Sequence, residues 1–270
     1  MRATAILLAL TLTFPLRAAD RQRIATINVA ATSVVTFLSC AVHAKLQHEP
    51  FTRRDAGRCL AAGSVAGAGF YQAKRVAGRG DITTGWLIAN ASSSIVENTT
   101  AGEHPLSRLG YTFGPFRLRL VTPFDRAHES FVDVDVSAVE TAFLVRAIVD
   151  ADDIDVRDGM IWYETQAPVI DGNFIFHGYT WGIFPGVWRG ADVFTSRHEA
   201  VHAVQSLQLD SVEPPLLTFH RTRRPVRLRH LRAGALNLSD NIFNAQALDY
   251  ADRWAEIEAF RLSEDVAPPR

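Results

Sequence analysis

Residues 196–205, SRHEAVHAVQ, place two histidines four positions apart with a glutamate directly after the first. On an α-helix, residues four apart sit one above the other, so His198 and His202 can offer imidazole nitrogens to one metal ion. Glu199 falls on the neighbouring strip, where a carboxylate can reach a metal-bound water without ligating the metal. This is the chemistry of hydrolysis: two neutral donors hold a cation and a carboxylate accepts a proton. Local signals support a helix here. Ser196 is a suitable N-cap with Glu199 three residues later, an S-x-x-E capping box, and Ala200, Val201, Ala203, Val204 and Leu207 supply an apolar side. The same box explains Glu199 without any catalysis, and two partly buried, hydrogen-bonded histidines are the alternative to a metal pair.

Zinc sites need at least three protein donors. The best source is the last amphipathic stretch, about residues 244–264, whose buried side includes Ala247, Tyr250, Ala251, Trp254, Ile257 and Leu262, with Asp240 or Asn241 to cap it. Glu256 and Glu258 lie near its middle and point about 200 degrees apart, so at most one can face the metal. HEAVH followed by a later helix bearing Glu256-Ile257-Glu258-Ala259, an E-x-x-A pattern, resembles the gluzincin type of zinc metallopeptidase. The resemblance spans roughly fifteen residues. It implies Zn2+ held by His198, His202 and Glu256, with Glu258 as the alternative third ligand, Glu199 as general base, and a peptide or protein as substrate. Several bacterial branches of the gluzincins often follow that alanine with Asp or Asn, whereas this chain has Phe260, which leaves Asp252, one turn before Glu256, as the candidate to support a ligand from behind. A tetrahedral oxyanion needs a donor beyond the metal, and His220, His230 and Tyr250 are candidates by location. No third histidine follows at the short metzincin spacing.

At 270 residues and 47% hydrophobic, the chain can bury a full core, and its net charge of -1 argues against a nucleic-acid partner. Residues 1–19 have the shape of an export signal or membrane anchor: Arg2, an apolar run, then Ala18 and Ala19. Residues 24–44 contain no Asp, Glu, Lys or Arg and are long enough to span a bilayer, although Asn28, His43 and several hydroxyl residues suit a buried helix equally. Two further stretches rich in small residues, with Gly63 and Gly67 in small-xxx-small spacing, complete three helices over residues 24–100, as a soluble layer or a membrane bundle. Cys40 and Cys59 can pair across the first hairpin if the chain is exported.

From about Gly110 the period changes to two. RLRLV at Arg117 to Val121 and FVDVDV at Phe131 to Val136 read as half-buried strands, SAVETAFLVRAIVDA as a helix, and IDVRDGMIWYE as a hairpin turning at Asp158-Gly159. GNFIFHGYTWGIFPG reads as another strand pair, and GIFPGVW, Gly182 to Trp188, as an edge strand able to align an extended substrate. In the run Arg221–Arg232, alternation favours an edge strand with Val226 and Leu228 inward; an anion or lipid site is the alternative.

The expected fold is α+β: a helical region over residues 20–105, possibly membrane-associated, then a 106–270 domain with a small sheet on the HExxH helix and a C-terminal glutamate-bearing helix. The expected protein is an exported or envelope-associated zinc peptidase. Its rivals are a non-catalytic envelope protein with a structural metal or none, and an anion- or lipid-binding membrane protein. No pattern sets the oligomeric state.

Overall fold

The structure, a computed structural model, describes residues 21–125, 131–171, 174–212, 217–218, 226–232 and 254–263. The signal-like residues 1–19, together with His220, Tyr250 and Asp252, lie outside the described residues.

The described residues open with three antiparallel helices, α1 (Arg21–Leu46), α2 (Arg53–Gly78) and α3 (Ile82–Thr100). Helix α2 opens on a capping box in which Thr52 and Asp55 exchange bonds, and Asp81 caps α3 by accepting from the Thr84 amide. The small residues set how closely these helices approach. A Cβ at Gly63 would lie 2.6 Å from Ser33 Cα, and one at Gly67 2.7 Å from Asn28 O, so only glycine admits the α1 backbone. The buried side of α1 is small and polar, with Asn28, Thr32, Ser33, Thr36 and Ser39, and a Cys40–Cys59 disulfide ties α1 to α2. By length and composition α1 is the one described helix apolar enough to cross a membrane, with 39% of its most apolar window buried.

The first sheet runs β1-β2-β3-β11-β10, from β1 (Arg108–Phe113), β2 (Phe116–Val121), β3 (Val132–Ser137), β10 (Leu217–Thr218) and β11 (Val226–Arg232). It is antiparallel except where β11 joins β3 in parallel. The period-two strands are where the sequence places them, but their polarity is inverted. Arg117, Arg119, Asp133 and Asp135 are buried, whereas Phe116, Leu118 and Leu120 are exposed. The reason is α3, which brings a buried Glu97 to the inner face. Glu97 pairs with Arg117 (2.7 Å), Arg232 (2.9 Å) and Arg119 (3.1 Å), and Asp135 holds Arg119 from the other side (2.7 Å). Arg108 joins Asp125 at 2.8 Å and Asp133 at 3.3 Å. Burial alone would raise the Glu97 pKa, but the three guanidiniums outweigh it and hold the carboxyl at about 2. Helix α3 also covers the free edge of β1: Asn98 donates to Arg108 O, Ser94 and Asn90 accept from the Gly110 and Thr112 amides, and Trp86 donates to Thr112 O. The arginine run is therefore not an edge strand throughout. β11 lies between β3 and the two-residue β10, and Arg232 is buried.

Ser137 caps α4 (Ala138–Asp150), which leads to the second sheet, β4-β5-β9-β8. Its members are β4 (Asp153–Arg157), β5 (Met160–Thr165), β8 (Gly178–Trp181) and β9 (Phe184–Trp188); β6 (Val169–Asp171) and β7 (Phe174–Phe176) form a separate pair. The β4–β5 hairpin turns at Asp158-Gly159 as expected, both with positive φ (54° and 76°), the conformation a two-residue type I′ turn requires. The expected edge strand GIFPGVW is internal, because β9 pairs with β5 on one side and β8 on the other. The edge is β8.

Helices α5 (Val193–Ser211) and α6 (Trp254–Ser263) complete an α+β fold of six helices among the described residues. One apolar cluster joins Phe70 and Trp86 of the helical layer to Trp162, Tyr163 and Phe184 of the second sheet and to Ala200, Val204 and Leu207 of α5.

Candidate metal centre

Helix α5 starts earlier than its sequence suggests. Asp192, not Ser196, is the N-cap, accepting from the Thr195 amide and hydroxyl at 2.8 Å each. Ser196 thus lies inside the first turn, and the expected Ser196–Glu199 capping box does not form. Glu199 is left free for another partner, and it finds Thr180 on β8, whose hydroxyl donates to its carboxylate at 2.8 Å.

The two histidines face α6. His198 Nε2 lies 3.1 Å and His202 Nε2 3.3 Å from Glu256 Oε2, and the two ring nitrogens lie 3.0 Å apart. A tetrahedral ion with bonds near 2.0–2.1 Å separates its ligand atoms by roughly 3.3 Å, so this is a buried His–His–Glu group spaced to hold a metal ion. The donor set of two imidazoles and a carboxylate suits a first-row divalent ion.

Glu258, the alternative ligand, points elsewhere. Its carboxylate receives Lys74 Nζ at 2.8 Å, Gln205 Nε2 at 2.8 Å and the Asn28 amide. On the other side of Gln205, Oε1 lies 2.7 Å from His202 Nδ1. These bonds determine a tautomer. Gln205 Nε2 faces two acceptors, Glu258 and Ala255 O at 3.0 Å, so its Oε1 must be the atom turned to the imidazole, and His202 Nδ1 must be the donor. The lone pair of Nε2 is then free to bind a cation when His202 is neutral. Lys74 also donates to Asn28 and Gln208, so α1 and α2 of the helical layer reach the back of the site through one buried network. His198 is held by rings: Phe260 lies 4.5 Å and Phe194 6.2 Å away, centroid to centroid. Phe260, which departs from the gluzincin pattern, therefore packs on the His198 ring instead of hydrogen-bonding it.

The electrostatics are those of a tightly coupled buried cluster. Burial disfavours a charged His202, but Glu256, with help from Glu199 and Gln205, lifts it to about 9. Burial likewise works against an ionised Glu256, yet His202 and His198 hold its carboxyl well below the usual range. Glu199 behaves differently: burial pushes its pKa up, and the histidines and Thr180 pull it back only in part.

Of the residues singled out from sequence, His198, His202, Glu199 and Glu256 are brought together. His230 lies on β11 in register with Thr218 and Asp135, outside this group. Gln205, Lys74 and Asn28 were missed. The available signals were a glutamine three residues after the second histidine and a lysine, one of only two, within a stretch of small apolar residues. No family model, curated protein or solved structure matches the chain.

Proposed function

We propose that the protein is a zinc-dependent peptide hydrolase in which His198, His202 and Glu256 ligate the metal and Glu199 is the general base. The observation that carries this reading is the convergence of the three donors beside a buried glutamate that is neither a ligand nor a cap. Bound zinc would supply Lewis acidity and lower the pKa of a water. Glu199 would accept the proton of that water and return it to the leaving amine, a role favoured by the burial that raises its pKa. Thr180 holds the Glu199 carboxylate on one oxygen, leaving the other for the proton transfer. Because Thr180 sits on β8, the edge of the second sheet, an extended substrate pairing with β8 would lie beside Glu199. A disulfide between Cys40 and Cys59, with the apolar α1 nearby, supports an exported or envelope location, since such bonds persist in oxidising compartments.

The test is zinc content and peptide hydrolysis of the purified chain. Wild type is expected to hold about one zinc, His202→Ala and Glu256→Ala to lose it, and Glu199→Gln to keep it while hydrolysis drops about 10²- to 10⁴-fold. A folded wild type that takes up no zinc, or a Glu199→Gln variant as active as wild type, overturns the assignment.

A further inference from the structure

The inverted sheet leaves an apolar outer face that is largely exposed among the described residues, with Tyr111 alone reaching back to the core and to Gly159 O. Strand register stacks its side chains in three rows: Leu109, Leu120 and Val132; Tyr111, Leu118 and Val134; Phe113, Phe116 and Val136. Exposure runs from 37% at Phe113 through 41% at Leu118 to 53% at Leu120. The face leaves roughly 550 Å² of apolar surface in water, comparable to the largest patch of a typical monomer, which is itself often functional. No charge interrupts it. The charged residues of β1 to β3, Arg108, Arg117, Arg119, Asp133 and Asp135, are all turned inward, where burying them costs desolvation. An arrangement that sends charges in and leucines out makes physical sense when the outer face is also buried.

We propose that this face is the contact between two copies of the chain, packed sheet on sheet about a two-fold axis. Four points favour a second copy. Two such faces would bury roughly 1,100 Å² together, at the lower bound of about 1,000 Å² for a specific interface. Edge-to-edge pairing through β1 is blocked by the α3 side chains that already satisfy its backbone, so the face is what this part of the sheet can offer. A hydrogen-bonding partner would find little to grip, since the lone hydroxyl there, Tyr111, already donates to Gly159 O. Among the side chains described on β1 to β3, the face also lacks the outward lysines and arginines with which a surface that lies on a bilayer meets anionic headgroups.

The experiment is sedimentation equilibrium of the full chain without detergent, for wild type, Leu118→Lys at the centre of the face, and Val65→Lys on the exposed side of α2 as control. Wild type and Val65→Lys are expected to sediment at twice the chain mass. Leu118→Lys is expected to dissociate at least tenfold more readily, by about a hot-spot contribution, with an unchanged circular dichroism spectrum. Leu120→Gln, a milder change on the same face, takes its place should Leu118→Lys fail to fold. A monomeric wild type overturns the proposal, as does a dimer indifferent to both substitutions. A monomer that binds phosphatidylglycerol vesicles and loses them on Leu118→Lys overturns it too, in favour of a lipid surface.

Discussion

Replacing Gln205 with leucine removes the acceptor from His202 Nδ1, together with the donor to Glu258 and Ala255 O, and leaves a shorter apolar side chain. In the wild type that contact is 2.7 Å, and it makes the tautomer with a free Nε2 the favoured one. In Gln205→Leu the buried imidazole can bind a cation through Nε2 only by carrying its proton on an Nδ1 with no partner. Leaving a buried N–H unsatisfied costs about 1–3 kcal/mol. At about 1.4 kcal/mol per factor of ten, zinc should bind roughly 10- to 100-fold more weakly, the usual effect of losing such a supporting bond. Gln205→Glu separates this from general damage. Its carboxylate still accepts from Nδ1, so affinity should be kept, but it cannot donate to Glu258 and sets a like charge beside it, so stability should fall. The assay is zinc competition against a chromogenic chelator, with urea unfolding of the same samples. Equal zinc affinity in wild type and Gln205→Leu, both folded, would refute the tautomer argument; no zinc binding by wild type would instead refute the metal site itself.

Two more expectations concern the frame. Glu97 has a folded-state pKa of about 2 against the usual 4.5, so its stabilising contribution is complete above about pH 4.5 and is lost as pH falls towards 2. Two and a half units correspond to about 3 kcal/mol at most, and urea midpoints measured down this range should fall more steeply for wild type than for Glu97→Gln, which at neutral pH should already be about 3–5 kcal/mol less stable with its arginines uncompensated. Reducing the Cys40–Cys59 bond, which closes a loop with a sequence separation of 19 residues, should cost about 3 kcal/mol, read as a lowered Tm with the zinc content unchanged.

Much of the site was legible without coordinates because it depends on helical spacing, which is local. His198 and His202 share a face wherever that helix begins, and Glu256 and Glu258 had to point apart, so one of them could ligate and the other could not. The Asp158-Gly159 turn and the strands at Phe116–Val121 and Val132–Ser137 were legible for the same reason, as backbone preference and period are properties of neighbouring residues. What lay beyond reach was every choice that requires a partner from elsewhere in the chain. Alternation in RLRLV and VDVDV says that two faces differ, but not which is inside; that was decided by Glu97 arriving from α3 to neutralise the arginines. The E-x-x-A pattern had already pointed to Glu256, but the physical reason came from elsewhere in the chain: Asn28 of α1, Lys74 of α2 and Gln205 of α5 claim Glu258. Ser196 looked like a cap until the preceding turn at Asp192 supplied one, and β8 became the edge only once β9 had paired on both sides. Spacing along the chain settled which atoms could reach a metal, while the burial of charge, whose cost depends on all surrounding groups at once, was settled in three dimensions.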